Sequence, residues 1–172
     1  MYFHFIFGIS LVLWHLYFHL KFWTLHKAYK LSIIYFSIFT ILLLVSGFMI
    51  FESKIGFEAT GAISYYLGDV ESFVIAKSNA GVLKLILPHI FAFGLLSMVV
   101  IHFLIFTKYK NNKLTKYIIY LILVSQFFEI FTPFLIINIS AMFIYLKFIS
   151  LFIYLTLIPL VLFIIFNSIV KD

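Results

Sequence analysis

The chain has 172 residues, of which 65% are apolar and 10% charged, against roughly 45 to 50% and about 25% in soluble globular domains. With 24 Phe and 11 Tyr, too few polar residues remain to cover a water-facing surface, so a soluble fold is excluded. Cysteine is absent, which excludes disulfides, thiolate-bound zinc, iron–sulfur clusters, a thiolate haem ligand and covalent haem attachment. The formal charge is +6, and its positive part comes entirely from grouped Lys because there is no Arg. That grouping is topological information, and no nucleic-acid partner is expected.

A bilayer core of about 30 Å needs about 20 apolar residues in a helix. Five such runs occur, at about 2–23, 31–51, 85–106, 117–139 and 141–170. Backbone groups in lipid must bond within their own segment, and the runs lack the alternation of barrel strands. The sequence therefore predicts an all-α polytopic membrane protein: one domain over residues 1–172, a bundle of five transmembrane helices. The first run lacks a preceding positive segment and carries its Lys after the apolar stretch, unlike a signal peptide, so it is expected to remain as a span.

Lys21, Lys27 and Lys30 follow the first run, and Lys108, Lys110, Lys113 and Lys116 follow the third, with no acid in either group. The positive-inside rule makes both connections cytoplasmic. The expected site is the bacterial inner membrane, with the N-terminus outside and the C-terminus in the cytoplasm. The connection from Glu52 to Lys84, with Glu58, Asp69 and Glu71, suits the outer side. It is long for a structureless loop, and it predicts one or two short interfacial helices within 57–69 and 70–80. Ser46 and Gly47 in the second run read as a close-packing position.

At least five of the six His lie in or beside the first and third runs. At about 100° per residue, His4, His15, His26 and His19 fall within a stripe of about 60° on one helix. Gly8 lies on the same stripe, where it removes bulk and lets a flat ligand approach. His26 reads as an interfacial residue. In the third run His89 is near the outer end and His102 near the inner end, giving imidazoles at two depths separated by about 20 Å. Ionisable residues in a membrane are costly and usually functional, and imidazole is a common metal ligand.

Two helices that each give one His near either face resemble the integral-membrane dihaem b-type cytochromes, including the five-helix anchor subunits of respiratory complexes. The resemblance rests on His4, Gly8, His15, His19, His89 and His102. It implies two haem b groups, an outer one on His4 and His89 and an inner one on His102 with His15 or His19. His19 matches the depth of His102 better, which leaves His15 as a hydrogen-bonding neighbour. His89 and His102 fall about 140° apart on an ideal helix, so the resemblance requires a bend or rewinding at Pro88 or Gly94. Lys and Tyr would have to serve where such cytochromes use Arg.

His15 and His19, one helical turn apart, also read as a site for copper or another ion, completed by His102 or an acid. Glu129 in the fourth run and Lys147 in the fifth lie at depths that let their heads meet across a tight hairpin, as an ion pair or as a proton relay. The functional expectation is a cytochrome-like subunit moving electrons across the bilayer between a quinone and a partner, either other membrane subunits or a periplasmic electron carrier. The alternatives are a structural or assembly subunit of a membrane complex, and a His-based metal or proton transporter.

Overall fold

The computed structural model describes the backbone of residues 2–170 and the side chains of residues 27–168. Among the described residues there are five α-helices: α1 (Tyr2–Lys54), α2 (Ala59–Leu67), α3 (Asn79–Leu104), α4 (Lys113–Asn138) and α5 (Phe143–Val170). The chain divides into two compact units, Met1–Phe39 and Thr40–Asp172. In the first, the described side chains include Tyr35, whose ring packs on Phe39 at 4.7 Å.

The stretch expected to hold two spans and a Lys-rich turn at residues 24–30 is instead one helix, α1. No Gly or Pro lies between Gly8 and Gly47, and Lys, Ala and Leu are good helix formers, so nothing in that stretch stops the backbone ladder. The Lys cluster is a topological signal, and it does not break a helix. Among the described residues four segments are long and apolar enough to cross a membrane: Lys27–Lys54, Asn79–Leu104, Lys113–Asn138 and Phe143–Ser168. The run expected at 2–23 has its side chains outside the described residues.

Two helices begin before their apolar runs because polar residues cap them. The Ser78 hydroxyl accepts the Gly81 amide, and the Asn112 side chain accepts the Leu114 amide, each satisfying a donor that the first turn leaves unpaired. α3 therefore starts about six residues, and α4 about four, ahead of the hydropathy boundary.

In the second unit α4 and α5 form an antiparallel hairpin closed at Ile139–Met142, with α3 packed on both. α3 buries Val82 and Ile86 against Ile130 of α4, while Leu83, Leu87, Phe91, Leu95 and Met98 form an exposed apolar stripe at helical spacing. α2 lies across the hairpin end of α4 and α5, where Ala62 and Tyr66 pack on Ile136 and Ile144. Of the one or two short helices expected in the connection, one forms, α2 within 57–69. Residues 69–74 instead make a tight turn in which Asp69 and Val74 pair as an isolated antiparallel bridge. Gly68 precedes it at φ +83, a conformation that favours glycine.

Candidate functional site

Pro133 sits inside α4. Proline has no amide hydrogen, so the carbonyl four residues earlier, that of Glu129, loses its helical donor. Lys147 of α5 takes its place: Nζ donates to the Glu129 carbonyl oxygen at 2.9 Å and to the Glu129 carboxylate at 2.7 Å. Both side chains are buried, 5% and 7% exposed for Lys147 and Glu129. A charge in this setting is held only with a partner and further hydrogen bonds, and one residue, Glu129, supplies both acceptors. The Phe51 ring lies 5.9 Å from the ammonium.

This pair forms part of the wall of a cavity of about 390 Å³ between the 43–55 segment, α3 and α5. Leu43, Phe48, Leu151 and Leu155 make it largely apolar. Gly47 borders it as well, and a Cβ there would meet nothing within 4 Å among the described residues. Among those residues Gly47 opens the cavity and makes no close helix contact of the kind expected from the sequence.

His89 lines the same cavity. Its Nδ1 is 2.8 Å from the Leu85 carbonyl oxygen, and since a carbonyl can only accept, Nδ1 carries the proton and donates. In the neutral imidazole this contact leaves Nε2 as the acceptor or metal ligand, the arrangement that fixes a histidine tautomer. The ring meets Phe93 edge-on at 5.5 Å, and Phe93 stacks on Tyr154 at 4.9 Å. Tyr154 is fully buried, and its hydroxyl pairs with that of Ser97 at 3.2 Å. Nothing in the sequence singled out Tyr154 or Ser97, because one Tyr among eleven and a lone Ser carry no pattern.

His102 lies elsewhere, on a groove of about 320 Å³ between α3 and α4, with Gly94, Ser97 and Gln126. The Gln126 side-chain oxygen is buried without a hydrogen-bond partner among the described residues. The structure thus places His89 and His102 in separate cavities, with the Ser97–Tyr154 hydroxyl pair between them. The side chains of His4, Gly8, His15, His19 and His26 lie outside the described residues, so the His pairs implied for two haems, and the His15–His19 metal site, are not described. Among the described residues no group of three or more His, Asp or Glu is placed to hold a metal ion.

Where α2 covers the hairpin, Tyr66 is fully buried and its hydroxyl has no partner among the described residues. Burial pushes its phenol far above the ordinary value, and the Glu129 charge adds to the shift. The neighbouring Tyr65 phenol is also raised by burial, and the Lys77 ammonium lies 3.9 Å from its ring centroid.

A family model described as a transmembrane helical domain, Aq_1264_TM, matches residues 56–172, and the chain belongs to that family. The match takes in α2 to α5, and with them Glu129, Lys147, His89 and Tyr154. No curated protein and no solved structure matches the chain.

Proposed function

Proceeding from membership in that family, we propose that this integral membrane protein is a subunit that binds a lipid-soluble ligand with a neutral polar head, of the quinone class, in the cavity bounded by His89, Lys147 and Glu129. The observation that carries the reading is the ion pair in the cavity wall. Lys147 and Glu129 neutralise each other, so the wall offers directional hydrogen bonds without a net charge that would select an ionic head. An ammonium has three N–H groups, and two are used by Glu129. The third suits a carbonyl oxygen, while the Nε2 lone pair of His89 suits the hydroxyl of the reduced form. The apolar walls suit an isoprenoid tail arriving from the bilayer.

Gly47→Leu fills the cavity and leaves both members of the pair in the chain, and its Cβ enters space that holds no atoms within 4 Å among the described residues. A short-tailed quinone analogue raises the Tm of the wild-type protein by mass action, and Gly47→Leu abolishes that rise. An equal response in both, or none in the wild type, sinks the proposal in favour of a structural subunit.

A second reading, a haem-bearing electron carrier, is favoured by the tautomer of His89, whose Nε2 is left free to bind iron. It predicts b-type bands in a reduced-minus-oxidised spectrum, with His89→Ala and His102→Ala each removing about half of the absorbance. A colourless protein from haem-replete cells removes this reading.

For orientation, we propose that the 105–112 connection and the first turn of α4, which carry Lys108, Lys110, Lys113 and Lys116, face the cytoplasm of a bacterial inner membrane, which puts α2 on the outer side and the C-terminus inside. Placing the N-terminus outside required a chain reversal at residues 24–30, where α1 continues. A tag after Asp172 that is digested from the outer side overturns this orientation.

A further inference from the structure

The most exposed large apolar side chains among the described residues are not on the four long helices. They are Phe73 at 93%, Val70 at 92% and Ile75 at 87%, on or beside the turn after α2, against 74% for Met142, the next most exposed. The turn is tightly tied. Asp69 and Val74 exchange both backbone hydrogen bonds, at 2.8 and 2.9 Å. The Asp69 carboxylate accepts the Glu71 amide at 3.0 Å and the Ser72 hydroxyl at 2.7 Å. Phe73 is held at φ +55, a region that bulky residues enter only where the surroundings impose it. An ordered turn therefore carries a strained phenylalanine that packs against almost nothing in the protein.

The height of the turn says what covers it. Its base follows Tyr66 and Leu67 of α2, and Tyr66 is buried against Ile136 and Ile144, at the hairpin ends of α4 and α5. On the return strand the Lys77 amide donates to the Tyr66 carbonyl at 2.9 Å. The base is thus level with the ends of two long apolar helices. Four residues span the turn, so its tip extends two residues at most, about 7 Å. The interfacial layer of a bilayer is about 5 to 7 Å deep on each side of the hydrocarbon. The tip cannot rise clear of it by any large distance.

We propose that the Asp69–Val74 turn is a membrane-surface anchor, in which Val70, Phe73 and Ile75 enter the interfacial layer of the lipid around the bundle while Ser72 and Glu71 stay with the water and headgroups. The surface is continuous with the lipid-facing helices, and it is independent of any ligand in the cavity.

The chain has no cysteine, so one introduced cysteine takes a nitroxide label at a unique site. Val70→Cys, Phe73→Cys, Ile75→Cys and Ser72→Cys are reconstituted in phospholipid vesicles, and their collision rates with oxygen and with a water-soluble nickel chelate are compared. At positions 70, 73 and 75 the oxygen-to-nickel ratio is severalfold higher than at 72. Ratios as low at 70, 73 and 75 as at 72 overturn the proposal, because the tip is then in water. Low collision with both reagents at Phe73→Cys overturns it too, because the tip is then covered by protein. Each substitution is at an exposed position, and a Tm in detergent equal to that of the wild-type protein provides a separate check that the bundle is folded.

Discussion

The acceptor that Pro133 leaves unbonded is the one that Lys147 uses: the Glu129 carbonyl, without a helical donor, lies 2.9 Å from the Lys147 ammonium. A proline inside a helix is ordinarily a defect of about 3 kcal/mol. Here the defect becomes half of a binding site for a buried cation, and α4 and α5 are joined by a side chain bonded to both backbone and carboxylate.

The pair should behave as one unit. Lys147→Met alone leaves Glu129 uncompensated, and Glu129→Leu alone leaves Lys147 so, each with a loss of about 3 to 5 kcal/mol. The double replacement should lose much less than the sum. Unfolding in mixed detergent micelles, run as a double-mutant cycle, measures the coupling, and simple additivity would show that the two groups do not depend on each other.

Pro133→Ala restores an amide that competes for the Glu129 carbonyl. The ammonium then shares that acceptor, and the loss caused by Lys147→Met should shrink by about 1 to 2 kcal/mol relative to the Pro133 background. An unchanged loss would show that the carboxylate alone holds Lys147.

Gly68→Ala should loosen the outer turn and leave the bundle intact. A Cβ at this φ of +83 would lie 2.7 Å from the Ala76 amide nitrogen and 2.9 Å from the Val74 carbonyl oxygen, both backbone atoms that have no flexible end to move. A local destabilisation of about 1 to 3 kcal/mol follows. It is read as faster amide exchange at Asp69 and Val74, with no change at Ile130 or Ile144.

The same turn should respond to acid. Hydrogen bonds from the Ser72 hydroxyl and then the Glu71 amide hold the Asp69 carboxyl below its ordinary value. A carboxyl lowered on folding stabilises above its unfolded pKa, about 4, and loses that contribution as pH falls through the lowered value. The mobility of a nitroxide on Phe73→Cys should therefore rise only in that acid range, and Asp69→Asn should flatten the response.

The parts of this molecule differ in how openly the sequence displays them. α3, α4 and α5 are legible because lipid demands long unbroken apolar runs, but the starts of α3 and α4 are set by Ser78 and Asn112, polar caps that lie outside those runs. The continuity of α1 through residues 24–30 is hidden because Lys27 and Lys30 report charge distribution, while helix breaking depends on Gly and Pro. Residues 70–80 have helix-like amphipathicity, yet the Asp69 side chain bonds its own following backbone and stabilises a turn instead. Glu129 and Lys147 stand out as charges within apolar runs. The carbonyl freed by Pro133, the Ser97–Tyr154 hydroxyl pair and the opening beside Gly47 are properties of the packed helices, with no local pattern to announce them.

The doubly bonded Lys147 also bears on how the protein enters the membrane. An unpaired charge within an inserting helix is opposed, by about 2.5 to 3.5 kcal/mol at the helix centre and by less near an end. Lys147 is the fifth residue of α5 and Glu129 lies deeper in α4, and the acceptors that relieve Lys147 are all on that preceding helix. α4 and α5 are separated by only four residues, so the lysine and its acceptors leave the ribosome almost together. Insertion of α4 and α5 as one hairpin would bring the pair into lipid already formed, and a linker longer than these four residues should slow membrane integration even where the finished fold is unchanged.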